Sequence, residues 1–259
     1  MAPGKKAFRP FPTAGSVNIF KSNARSRYDA LQAQARGRFS RRVQYQVSYT
    51  FSNAKDDASD VFDLAGSFSL PQDSVTPTGE YAPSNFDARH RIAYNYMIDL
   101  PRFASRAAQA VLGNIQFAGT GQFQTGQPFT VNSIFDVNLD GNLTDRLNST
   151  NGIVSTGDRS QPFRLTAAAS SLLAPLGQDG QVPRNSFRGT NLFVNNVAII
   201  KSIPFTERYR LIFRAEIFNI FNRANFGLPV RFLEFPSFGK STYTVTPGRR
   251  LQFALKFSF

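Results

Sequence analysis

Cysteine and tryptophan are absent from the 259 residues, methionine occurs twice and histidine once, as His90. Without cysteine there is no disulfide, no thiol nucleophile and no thiolate-bound metal, and one histidine cannot build a multi-histidine metal centre. Also missing is any apolar run near the roughly 18 residues that a membrane helix requires, so helical spans are excluded. The opening stretch, MAPGKKAFRPFPTAG, carries lysines but no apolar segment of about 7 to 15 residues behind them, and does not read as a secretory signal. If the protein is exported, its export signal is expected upstream of this stretch.

What is abundant is phenylalanine, at 27 residues, followed by 8 tyrosines, with 18 glycines and 15 prolines scattered between them. Aromatic and β-branched enrichment broken by Gly and Pro favours strands and turns over helices. Lys plus Arg number 30 against 17 Asp plus Glu, leaving +13. Such a charge can serve nucleic acid or an anionic membrane. Here the arginines are spread in ones and twos, and no zinc-ligand set, RNP-like motif or basic helix accompanies them, so no nucleic-acid partner is expected.

The clearest periodicity is at the end. In RRLQFALKFSF, Leu251, Phe253, Leu255, Phe257 and Phe259 alternate with Arg250, Gln252, Ala254, Lys256 and Ser258, a strand with one apolar face. A soluble protein ending on such a strand would carry an aggregation-prone edge, which a barrel removes by pairing it. The same dyad recurs upstream. Val43, Tyr45, Val47, Tyr49 and Phe51 oppose Gln44, Gln46, Ser48, Thr50 and Ser52; His90, Ile92, Tyr94, Tyr96, Ile98 and Leu100 oppose Arg89, Arg91, Ala93, Asn95, Met97 and Asp99. Ile115, Phe117 and Phe123 oppose Asn114, Gln116, Gln122 and Gln124, with Gly119 and Gly121 at outward positions, and Tyr209, Leu211, Phe213, Ala215 and Ile217 oppose Arg210, Ile212, Arg214 and Glu216. Weaker candidates are Val17 to Lys21, Tyr28 to Phe39 and Leu192 to Lys201, for about seven or eight strands in all.

Short links at Phe39 to Val43 and Lys201 to Arg208 alternate with long polar stretches at about 53–88 and 135–190, as periplasmic turns alternate with extracellular loops in transmembrane barrels. Alternation alone suits a soluble sandwich equally. The polar faces, however, are rich in Gln, Asn, Ser and Thr with Arg and Glu in mixed pairs, as a lumen tolerates. Tyr45, Tyr49, Tyr94, Tyr96 and Tyr209 are candidates for aromatic girdles at the lipid boundary, or for ordinary β-core packing.

Six blocks carry a resemblance: SRYDALQAQARGRFSRRVQYQVSYTFSNAKDD (Ser26 to Asp57), SNFDARHRIAYNYMIDLP (Ser84 to Pro101), TGQPFTV (Thr125 to Val131) with DVNLDGNLTDR (Asp136 to Arg146), RNSFRGTNLFVNNVAIIKSIPF (Arg184 to Phe205), RAEIFNIFNRANFGLP (Arg214 to Pro229) and the terminal strand 249–259. In their order and spacing they resemble the C-terminal barrel region of TonB-dependent receptors with a carboxypeptidase-regulatory-like N-terminal domain, the Oar-like group. That resemblance implies an all-β, antiparallel transmembrane barrel domain over 1–259, the C-terminal portion of a barrel of about 22 strands. It implies location in the Gram-negative outer membrane, contact with its lipid, import of a bulky unidentified ligand, and energy from the TonB system reached through an N-terminal part. The chain carries no plug and no energy-coupling box, so it is expected to be the tail of a longer receptor, a truncated product or a fragment, that neither transports nor inserts stably by itself. A surface adhesion or structural outer-membrane barrel is the alternative.

The chain does not read as an enzyme. Asp56, Asp57, Asp60, Asp63 and Asp87 with Arg89 are expected to be solvated loop charges, since no nucleophile accompanies them. His90 falls on the apolar register near a strand start and reads as interfacial. Asp136, Asn138 and Asp140 precede Gly141 as the first ligands of a calcium loop do, but Leu147 stands where the closing Glu belongs. Asp145 is the substitute candidate for a structural Ca2+, and an Asx-rich turn is the plainer reading. Arg210, Arg214 and Glu216 are expected on the lumen wall. Leu251, Phe253, Leu255, Phe257 and Phe259 resemble the signal recognised by the barrel-assembly machinery, which β-augmentation can read.

Overall fold

The computed structural model describes residues 21–59, 70–73 and 79–259. Of the expected strand at Val17 to Lys21, residues 17–20 lie outside that set, as do Asp60 and Asp63, and Lys21 is not in a strand. Strands dominate because period-two alternation of apolar and uncharged polar side chains suits a pleated ribbon whose two faces meet different surroundings.

The first hairpin joins β1 (Ser26–Phe39) to β2 (Val43–Asp56) in antiparallel register, Phe39 opposite Val43 and Ser26 opposite Asp56. Its turn, 40–42, has Ser40 at φ 58°. A two-residue β3 (Ala82–Pro83) pairs with the end of β2, and β4 (His90–Asp99) lies along the rest of β2. A seven-residue helix α1 (Arg106–Leu112) leads to β5 (Ile115–Gln124). The short pairs β6 (Pro128–Phe129), β7 (Ile153–Ser155), β8 (Phe163–Leu165) and β9 (Phe187–Arg188) belong to one long connection. After it come β10 (Leu192–Pro204), β11 (Arg210–Phe218) and β12 (Arg250–Ser258).

The main sheet is an antiparallel meander in the order β1-β2-β4-β5-β10-β11-β12, with β3 attached to β2. Among the described residues the sheet does not close, and the outer edges of β1 and β12 pair with no strand. Connections alternate: 40–42, 100–114 and 205–209 lie at one end, and 57–89, 125–191 and 219–249 at the other. The expected long stretches thus shift. The first begins at 57 because β2 stays paired through Asp56; the second opens at 125, where β5 ends. A third, 219–249, was not among the expected long stretches.

Register keeps one face mostly apolar, with Asn195 and Lys201 of β10 as polar exceptions. Leu211, Phe213, Ala215 and Ile217 stand opposite Phe257, Leu255, Phe253 and Leu251, and Tyr45, Val47 and Tyr49 opposite Tyr96, Tyr94 and Ile92. On β12 this face is bare: Leu251, Phe253, Leu255 and Phe257 are 53–68% exposed. A sandwich would cover such a face with a second sheet, and none does so among the described residues.

The buried core lies elsewhere, in the long-connection end. Phe129, Val131, Leu147, Leu172, Leu233 and Phe238 cluster there, with Ile153, Phe163, Leu165 and Phe187 against them. These residues come from 125–191 and 219–249, which also meet through the parallel bridge of Asn132 with Phe232. The two connections form one packed cap.

Candidate functional site: the polar face and its cap

The second face of the sheet carries most of the polar side chains, with Ala93, Met97, Ala118, Ile200 and Ile212 among them. From β1 and β2 come Gln32, Gln34 and Arg36 beside Thr50, Ser48 and Gln46; from β5 and β10, Thr120 stands beside Asn196. On β11 and β12, Arg210 faces Ser258, Arg214 faces Ala254 and Glu216 faces Gln252. Arg214 donates to the Glu216 carboxylate at 2.6 Å, two residues along the same face. Arg210, Arg214 and Glu216 therefore share the polar side.

Above this face the cap closes over an ion-paired network. Arg146 and Glu80, both 8% exposed, pair at 3.0 Å, and Gln72 Oε1 accepts from the Arg146 backbone N–H at 2.8 Å. Arg184 binds the Asp56 carboxylate, and Arg188 binds that of Asp87. Asp56 is 5% and Asp87 1% exposed, so the expectation of solvated loop charges is corrected for both. A buried carboxylate is retained only with a partner, and the arginines that supply one lie over a hundred residues away in sequence. Asp57 pairs with Arg25 at 3.3 Å. The pairs of Asp56, Glu80 and Asp87 fasten those residues to Arg184, Arg146 and Arg188 of the long connection 125–191.

The DVNLDGNLTDR loop sits inside the cap. Asp145 Oδ2 accepts the Val137 N–H at 3.0 Å and Oδ1 the Asn138 N–H at 3.3 Å, while Asn138 Oδ1 accepts from Asp140 N–H at 3.1 Å and Asp136 Oδ2 from Gly141 N–H at 3.0 Å. The Asn138 amide donates to Gln72 O and to Asp179 Oδ1. The oxygens thus serve as Asx-type acceptors that hold the turn, and no group of three or more His, Cys, Asp and Glu suited to a metal occurs among the described residues. Leu147, at the closing position, is fully buried in the apolar cluster. Burial raises the Asp145 carboxyl to about 6, against the pull of its two backbone N–H donors, with Asp140 and Asp136 adding to the rise.

The apolar face has its own geometry. Tyr96 and Tyr94 stand opposite Gly119 and Gly121, and the Tyr94 hydroxyl reaches across β5 to Asn195 Oδ1 on β10. At the cap end Tyr49 and His90 hydrogen-bond through the hydroxyl and Nδ1 at 2.9 Å, with Phe51 against the imidazole; Phe193 stacks on Phe221. At the other end Tyr209 stacks on Phe257. Two aromatic belts border one apolar band, as at lipid boundaries. Tyr45, Tyr94 and Tyr96 lie over the cross-strand glycines Gly37, Gly121 and Gly119.

A family model described as an outer membrane beta barrel domain matches residues 2–252. The chain belongs to this family. No curated protein and no solved structure matches it. The protein accordingly resides in the outer membrane, with the apolar face toward lipid and the polar face toward the lumen. By the rule of loop lengths, the cap is expected on the extracellular side and 40–42, 100–114 and 205–209 on the periplasmic side. The ion pairs of the cap were not legible beforehand, although Asp56, Asp87, Arg184 and Arg188 all fall inside the blocks quoted above; one sequence gives no pairing between distant charges.

Proposed function

We propose that the chain is the C-terminal part of a TonB-dependent receptor barrel of the Oar-like kind, which imports a bulky ligand and is not an enzyme. The unclosed sheet supports this reading. Seven spanning strands leave the β1 and β12 edges unpaired, and each unsatisfied backbone group in hydrocarbon costs several kcal/mol. The arc therefore completes itself with strands beyond those described, as one sector of a wider barrel does. The six sequence blocks support the receptor assignment, the mixed-charge lumen face suits a plugged pore, and the bare β12 with Phe259 suits recognition by the barrel-assembly machinery.

The test exports the chain behind a signal peptide into a Gram-negative outer membrane, beside a version extended with its natural upstream sequence. We expect the chain alone to show no heat-dependent shift in gel mobility. The extended version is expected to regain the shift and to bind the purified periplasmic domain of TonB. A heat-modifiable chain by itself would overturn the sector reading. An extended barrel that folds but ignores TonB would overturn import in favour of a surface adhesion or structural barrel.

A further inference from the structure

Helix α1 is the one helix of more than four residues among those described, and it sits in the connection 100–114. Its position is set by Lys201. On β10 Lys201 occupies the lipid-facing register, between Ile199 and Ile203 and opposite Ile115 and Phe213. A charge there is tolerated only if it reaches polar partners. Its Nζ donates to the carbonyls of Ala110, Val111 and Gly113 at 2.9, 3.1 and 2.6 Å, the unsatisfied groups at the end of α1. The helix is thereby pinned beside the apolar-face register of β10, at the end of the sheet that carries the short connections. Gln109 closes the segment by accepting the Phe103 N–H at 2.8 Å.

The chemistry of the segment fits that position. PRFASRAAQAVLG contains Arg102 and Arg106 and no acidic residue. Both arginines are exposed, and so are Val111, at 68%, and Leu112, at 43%. Asp99 N–H donates to Arg42 O at 2.8 Å, setting the exposed turn arginines Arg41 and Arg42 beside the same connection. The nearest carboxylate along the chain, Asp99, is on the lumen face, where Gln116 Nε2 donates to it at 2.8 Å. Bare apolar side chains beside unneutralised arginines, on the membrane side of a barrel, are the two halves of an interfacial lipid contact.

We propose that α1 and the arginines around it form an anionic-phospholipid docking surface in the periplasmic leaflet. Val111 and Leu112 enter the acyl boundary, and Arg102 and Arg106 hold the headgroup phosphate of a lipid such as phosphatidylglycerol. Each arginine near an anionic leaflet contributes about fivefold in partitioning, so the pair favours anionic over zwitterionic lipid by roughly twenty-five-fold.

The test uses the full-length protein assembled in the outer membrane, extracted into detergent and incubated with an equal mixture of phosphatidylglycerol and phosphatidylethanolamine, the retained lipid being counted by native mass spectrometry. Phosphatidylglycerol is expected to dominate. The R102Q/R106Q variant is expected to lose that preference, and R164Q, at an exposed arginine in the cap, to keep it. Equal retention of the two lipids by the parent protein would overturn the proposal. So would an undiminished preference in R102Q/R106Q, or an equal loss in R164Q, which would reduce the effect to net charge.

Discussion

Tyr94 on β4 lies flat over Gly121 on β5, so closely that a Cβ built on Gly121 would stand 2.2 Å from the ring. The neighbouring pair repeats the arrangement, a Cβ built on Gly119 standing 2.4 Å from the Tyr96 ring. An aromatic ring laid over a cross-strand glycine covers backbone that would otherwise face lipid and tightens the local pairing. The glycines look like weak points in an isolated strand but are the seats of two tyrosines.

Gly121→Ala is expected to displace Tyr94 and to destabilise the barrel by about 1–3 kcal/mol, the usual cost of overpacking. The urea midpoint of the assembled full-length protein measures it. Adding Tyr94→Ala to Gly121→Ala should cost less than the two single changes summed, because the second change removes the clash. Strict additivity would show that the ring does not rest on the glycine.

Tyr94→Phe keeps the ring but removes the hydroxyl that serves Asn195, a residue of the lipid-facing register that is 9% exposed. An amide left without its partner costs about 1–3 kcal/mol. Asn195→Val in the Tyr94→Phe background is expected to recover most of that loss, read from the same unfolding midpoint.

Glu80→Gln is expected to loosen the cap and leave the strands intact. Removing one partner of a buried ion pair costs about 3–5 kcal/mol, and Arg146 is as buried as Glu80. Limited proteolysis should cut within 125–191 in the variant while the heat-dependent gel shift of the full-length barrel persists. Loss of the shift would show that the cap holds the barrel together.

The cap should be more stable near pH 4.5 than near pH 7.5 to the extent that Asp145 governs it. Its folded carboxyl, at about 6, lies above the ordinary 3.8. The folded cap therefore holds a proton that the unfolded one has released between those values, and stability falls as pH rises through that window toward 6. The full penalty, on the order of 2–3 kcal/mol, is present at higher pH. Asp145→Asn should abolish this component, measured as the difference in protease protection between parent and variant across pH. A calcium ion at the loop would reverse the sign, so calcium addition at pH 7.5 that protects the parent and not the variant would establish the ion there.

Phe257→Ser with Phe259→Ser is expected to lower the amount of full-length protein reaching the outer membrane without changing its synthesis, as quantified by immunoblot of membrane fractions. Both side chains lie on the bare outer stripe of β12 and its end, with Phe257 stacked on Phe259. Unchanged levels would remove the assembly-signal reading of the strand.

The spanning strands were legible because their information is local. Period-two alternation needs no partner to be seen, and it placed β2, β4, β5, β11 and β12 within a few residues, down to the shared faces of Arg210, Arg214 and Glu216. Boundaries failed where pairing overrode composition: Asn53 to Asp56 read as loop, but continue β2 because β1 and β3 hold them. The cap failed more deeply. Phe129, Leu147, Leu172 and Leu233 stand at no regular spacing, so nothing in the sequence distinguishes a packed loop core from apolar residues adrift in a polar stretch.

What the sequence determined by itself, then, is an antiparallel sheet with one face for lipid and one for polar surroundings, since alternation along a strand dictates which side each residue meets. What only the tertiary structure decided is which distant groups meet: Arg184 with Asp56, Arg188 with Asp87, Tyr94 with Gly121, Lys201 with the end of α1. Contacts of that kind depend on register and on loop closure across a hundred residues, and a buried charge or a bare glycine is stable only once its partner has been delivered.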